Sequence, residues 1–164
     1  MATRNAVTLA STTHATSGGS NPTYGYDNDF ATAHAGTMTN PADSDPASTI
    51  TLISEHTFSG SKTITQLKYQ FYCSLSYSGS GSSDGYFKVE VKQNGAYTTV
   101  YNQTFGNGVT DTGVLTLSTG WAGVTDVKAT AYGRTDGSAG STCITRIYEI
   151  QAFYTIKKSY AGYV

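Results

Sequence analysis

Hydrophobic and polar positions alternate over most of this chain, and the alternation has the period of a strand. Residues 49–58 read as a first strand, with Ile50, Leu52 and Ile53 as inward candidates. Residues 59–62 (SGSK) read as a turn, and residues 64–77 as a long strand with Leu67, Tyr69, Phe71, Cys73 and Leu75 on one face. The run SGSGSSD at 78–84 reads as a loop. Residues 86–93 set Tyr86, Lys88, Glu90 and Lys92 against Phe87, Val89 and Val91, which predicts a half-buried strand with a solvated charged face. Asn94-Gly95 is a strong hairpin signal, and residues 97–105 form the return strand. Further strands are expected at 109–117, 124–132 and 143–156, separated by the corner Thr119-Gly120-Trp121 and a loop at 133–141. No stretch has helical periodicity and no internal repeat is found. Seven or eight strands at this spacing predict an antiparallel β-sandwich.

Ahead of that alternation the pattern changes. Residues 1–22 are rich in Ser, Thr and Asn and poor in apolar residues, which predicts an extended arm. Residues 24–46 hold turn chemistry: Tyr26-Asp27-Asn28-Asp29, Asn40-Pro41 and Asp45-Pro46. The expected organisation is therefore an arm at 1–22, a sandwich domain at 23–156 and a tail at 157–164.

Composition sharpens the picture. Charged residues are only 13% of the 164, Tyr occurs 13 times, and the only glutamates are Glu55, Glu90 and Glu149. Net charge is −1, and the largest basic cluster is Lys157-Lys158, which argues against nucleic-acid binding by phosphate neutralisation. No apolar run approaches the ~20 residues of a membrane-spanning helix. Residues 1–20 lack the apolar core of a secretion signal. That fits a removed signal, synthesis in a cytoplasm, or release by lysis as virus particles are released. Cys73 and Cys143 both sit in alternating stretches and read as buried thiols; a disulfide follows if their strands are neighbours and the compartment oxidises. With three scattered histidines they make no zinc site. No nucleophile, phosphate-loop or metalloprotease motif is present, so no catalytic residue is expected.

Two segments resemble the ends of the galactose-binding-like (discoidin-type) jelly roll. Tyr26-Asp27-Asn28-Asp29-Phe30-Ala31-Thr32 resembles its early loop, and Ile147-Tyr148-Glu149-Ile150-Gln151-Ala152-Phe153 its closing strand. Between them, residues 86–100 resemble its central hairpin and residues 121–127 its Trp-containing corner. In carbohydrate-binding members the early loop and closing Glu hold a structural calcium. The resemblance thus implies Ca2+ held by Asp27 or Asp29, Thr32 and Glu149 with loop carbonyls, a set of hard oxygens that suits this ion. Asn28 replaces the usual Gly, and His34 stands where many members have Trp. Members bind ligands on loops at one end of the sandwich, where this chain offers His34, Asn107, Tyr132 and Arg134.

Two functions fit these expectations. The first is a non-catalytic structural protein of a virus particle, a phage decoration or tail attachment module, whose arm docks on neighbouring subunits. The abundant Tyr, Ser, Gly and Asn suit such contacts. The alternative is a calcium-stabilised carbohydrate-binding module of a secreted protein, with a cell-surface glycan as partner.

Overall fold

A computed structural model describes residues 4–6, 9–16, 19–20, 29–39, 48–76 and 84–155. Among them there is no helix. The strands are β1 (Arg4–Ala6), β2 (Leu9–Thr16), β3 (Gly19–Ser20), β4 (His34–Thr39), β5 (Thr49–Ser76), β6 (Asp84–Gln93), β7 (Ala96–Phe105), β8 (Gly108–Asp111), β9 (Leu115–Arg134) and β10 (Thr142–Thr155). Every pairing among them is antiparallel.

Two of the strands are long because they serve both layers. β5 and β9 pair from Thr49 with Arg134 at one end to Tyr69 with Leu115 at the other, and beyond Tyr69 the end of β5 pairs with β8 instead. Residues 59–62, expected as a turn between two strands, are instead a bend within β5. The expected corner around Trp121 is its partner in β9, with Lys62 opposite Val124 and Ile64 opposite Trp121. Gly60 and Gly123 take positive φ there (71° and 72°), and the register shifts let both strands turn together without giving up the ladder.

The shared corner divides the hydrogen-bonded network into two layers. The first contains β2, residues 49–58 of β5, residues 124–134 of β9, β6 and β7. The second contains β3, β4, β10, residues 64–76 of β5, β8 and residues 115–121 of β9, with β1 on the far part of β10. The strand expected over 109–117 is split, because the chain leaves β8 at Asp111 and re-enters the ladder at Leu115.

The layers pack face to face. Phe71 of the second layer stacks on Phe87 of the first with centroids 4.9 Å apart, and Tyr69 meets Tyr101 at 5.0 Å. Ile50, Leu52, Ile64, Leu67, Val89, Val91 and Ile147 fill the interior and are wholly buried. Each such side chain contributes about 1.5–3 kcal/mol relative to exposure. Close approach of the layers needs missing side chains: a Cβ on Gly36 would lie 2.1 Å from Ile50 Cδ1.

Cys73 and Cys143 are buried free thiols on neighbouring strands of the second layer. Cys143 stands opposite Leu75 and Cys73 opposite Thr145, so the two are diagonal, and their thiols hydrogen-bond. That bond, together with burial, pushes the Cys73 thiol well above the ordinary range.

The described residues of the segment expected as an extended arm that docks on a neighbour supply three strands to this chain's own sheets. β1 extends β10, β2 borders β5, and β3 borders β4.

Candidate functional site

The outer face of the first layer carries a set of polar and aromatic side chains. Because Phe87, Val89 and Val91 of β6 point into the core, Tyr86, Lys88, Glu90 and Lys92 point out. On β9 the same parity turns Ala129 and Ala131 inward, and Asp126, Lys128, Thr130 and Tyr132 outward.

Near the end of the sandwich where β6 begins, Tyr86 and Tyr132 stand opposite one another. Their rings stack with centroids 5.1 Å apart and an interplanar angle of 18°. The next residues outward are threonines, Thr104 opposite Tyr86 and Thr51 opposite Tyr132. One row closer to the end, Asp84 is opposite Arg134, and Arg134 is opposite Thr49. All three of these are exposed. The Tyr132 hydroxyl is held above its usual pKa by burial, with the Asp84 charge adding to this and Arg134 opposing it. The result is an aromatic pair with one carboxylate and one guanidinium above it and small hydroxyl side chains on both flanks. A sugar ring is recognised by this kind of combination: an apolar ring to stack on and planar charged groups to fix its hydroxyls.

Farther along the same face the charges are tied to one another. Glu90, 8% exposed, is paired with Lys88 at 3.2 Å and Lys128 at 3.0 Å. Lys128 also lies over the Tyr97 ring, 3.8 Å from its centroid, and the Tyr97 hydroxyl donates to Glu55. Asp126 accepts from Thr57 and Thr125, each at 2.7 Å, and pairs with Lys92 at 3.7 Å. Within this network the charges of Lys88, Glu90, Lys92, Asp126 and Lys128 each have an opposite partner.

The residues expected to face a ligand are only partly brought together. Tyr132 and Arg134 belong to the cluster just described. Asn107 is exposed at the turn after β7, beyond Phe105, which pairs with Gly85 at this same end. His34 does not join them. It begins β4 opposite Ile147 and is 0% exposed, so its imidazole is closed to a ligand arriving from solvent. Tyr86 and Asp84 were not expected, although the outward parity of Tyr86 was visible in the alternation.

Among the residues expected to hold calcium, Asp27 lies outside the described residues. Asp29 Oδ1 accepts from the Ala31 amide at 2.8 Å, and the Thr32 hydroxyl donates to the Asp29 carbonyl at 3.2 Å, so both shape one turn. Glu149 is 1% exposed at a bulge in β10, and its Oε1 accepts from the Ile150 amide at 3.1 Å. Along that edge of β10, β4 pairs as far as Ile147 and β1 takes over at Phe153, so Glu149 falls in the interval between them. The turn at 29–32 leads into β4 at the near side of the interval. Among the described residues no three His, Cys, Asp or Glu side chains converge as a metal cluster.

No protein-family model matches the chain, nor does any curated protein sequence. Solved structures do resemble it. The family 32 carbohydrate-binding module of AlyQ, in complex with 4,5-unsaturated mannuronic acid, superimposes with a TM-score of 0.50 at 17% identity over 91% of this chain and 98% of that one. The family 32 module of C. perfringens NanJ, in complex with galactose, gives 0.51 at 15% identity over 92% and 99%. At such identities the likeness concerns the fold, which is the galactose-binding-like β-sandwich.

Proposed function

We propose that this chain is a non-catalytic carbohydrate-binding module and that it holds sugar at the Tyr86–Tyr132 end of its first layer. The observation that carries the reading is the stacked tyrosine pair beneath Asp84 and Arg134. The rings stack across the strand direction, so their outer faces point toward Thr104 and Thr51, side chains small enough to leave room for a pyranose. Asp84 accepts from sugar hydroxyls and Arg134 donates to them. The fold shared with two modules solved in complex with sugars supports the same reading. Ser54 Oγ and His56 Nε2, 3.1 Å apart, are both buried.

The reading as a virion subunit drew on an arm in search of a neighbouring subunit. β1, β2 and β3 complete this chain's own edges, so that argument no longer favours assembly. A structural calcium between the turn at 29–32 and Glu149 is part of the proposal. The topology brings both to the same stretch of β10, and the ion would tie the edge there without touching the sugar.

The test is a glycan array with and without calcium, followed by titration of the best glycan into wild type and Tyr132→Ala. Loss of at least tenfold in affinity, about 1.4 kcal/mol or more, is expected with an unchanged thermal midpoint. Equal binding by the variant, or no binding across the array, would sink the reading.

A further inference from the structure

The outer face of the second layer carries two cations, Arg146 and Lys68. Thr145 and Ile147 of β10 are buried, so Arg146 points outward, directly opposite Tyr72 of β5. Its guanidinium carbon lies 4.8 Å from the Tyr72 ring centroid, and Nη1 donates to the Tyr148 hydroxyl at 3.3 Å. Contact with one ring and a bond to the next hold the guanidinium in place on the sheet. Of its five N–H donors, this one bond uses one. Lys68 stands opposite Gln151, 5.6 Å from the Phe153 centroid. Four residues separate Lys68 from Tyr72, which is about 13 Å along a strand at roughly 3.3 Å per residue.

Neither cation has a carboxylate partner among the described residues, whereas Lys88, Lys92 and Lys128 of the other face are all paired. Among the described residues an acid shares this face. Asp111 is opposite Tyr72 on β8, and its Oδ1 already accepts from Gln70 Nε2 at 3.2 Å and the Gly113 amide at 2.9 Å. A planar guanidinium held in place with spare donors selects a planar oxyanion, and an adjacent ring selects a molecule with an apolar face. A sugar that bears a carboxylate has both.

We infer that this face, centred on Arg146, Tyr72 and Tyr148, is a second binding site, for uronic-acid residues of an acidic polysaccharide. Arg146 clamps one carboxylate in two-pronged fashion, Tyr72 and Tyr148 border the ring that bears it, and Lys68 meets a later carboxylate of the same chain. The site therefore favours an oligomer over a single sugar. The inference extends the carbohydrate-binding reading to a separate surface and does not depend on the Tyr86–Tyr132 site.

The experiment titrates tetragalacturonate, its carboxyl-reduced neutral counterpart and dextran sulfate into the full chain, its Arg146→Lys variant and its Lys68→Gln variant. Wild type is expected to bind the tetrauronate at least tenfold more tightly than the reduced sugar. Arg146→Lys keeps the charge but loses the planar fork, and should weaken tetrauronate binding at least tenfold. Lys68→Gln should weaken it two- to fivefold and leave monomeric galacturonate unaffected. The neutral glycan of the first site should bind Arg146→Lys as it binds wild type. Should Arg146→Lys fail to fold, the Lys68→Gln titration and the carboxyl-reduced sugar still decide. Equal binding of the reduced sugar, equal or tighter binding of dextran sulfate, or wild-type affinity in the variants overturns the inference. Absence of neutral-glycan binding alone would count against the first site only.

Discussion

Gly133 of the first layer faces Cys143 of the second so closely that a Cβ on the glycine would lie 2.2 Å from the sulfur and 3.1 Å from Thr145 Cγ2. The two layers can close over this end of the sandwich only because one of them lacks a side chain here. Gly133 is also next to Tyr132, so the packing beneath it sets the height of the proposed sugar platform.

Gly133→Ala should therefore destabilise the chain by about 1–3 kcal/mol, the usual cost of overfilling a packed core. The companion change Cys143→Ala removes the atom it collides with. The double variant should recover part of the loss, and chemical denaturation of the four proteins measures the coupling.

The thiols themselves should be inert in the folded chain. Cys73 and Cys143 are both free, and burial keeps reagents out. Both should react with a thiol reagent only after unfolding, and added reductant should leave the thermal midpoint unchanged. A mass two hydrogens short for protein purified in air would contradict this.

Much of the fold was legible because its signals are local. The hairpin of β6 and β7 was visible in the alternation of 86–93 and in Asn94-Gly95, both of which take positive φ (51° and 82°) as a tight hairpin requires. The bend at 59–62 was misread because Ser-Gly-Ser-Lys looks the same whether a chain reverses or turns a corner. Only its pairing with Val124 and Trp121, some sixty residues away, decides between them. The site was half legible for the same reason. Tyr132 and Arg134 were named from the sequence, but their partners Tyr86 and Asp84 follow from the β6–β9 register, which no local pattern encodes. His34 was read as a loop residue, yet it opens β4, and its inward parity buries it.

The charged network beside the site should make stability depend on acid. Burial pushes the Glu90 carboxyl up, but Lys128 and Lys88 outweigh it and hold it below the ordinary value. Burial likewise opposes, and Thr125, Thr57 and Lys92 together overcome, a rise at Asp126. A carboxyl whose pKa is lowered on folding stabilises the chain above its unfolded value, about 4.3 for Glu and 3.9 for Asp, and that stabilisation is lost as pH falls through the folded value. Lys128→Met should cost about 1–3 kcal/mol at pH 7. Its deficit against wild type should shrink below about pH 4, which denaturation at several pH values checks.

The calcium proposal is tested by heat. Wild type should melt higher with calcium than with chelator, and Glu149→Gln should lose that difference. A wild-type midpoint that ignores calcium would remove the ion from the account.

The most direct test of the sugar site is an amide NMR titration of the wild-type chain with the neutral glycan that an array selects. The account predicts that shifts gather at residues 49–51, 84–86 and 132–134, around the stacked Tyr86 and Tyr132. Shifts confined to other surfaces, with this cluster silent at saturating glycan, would contradict it.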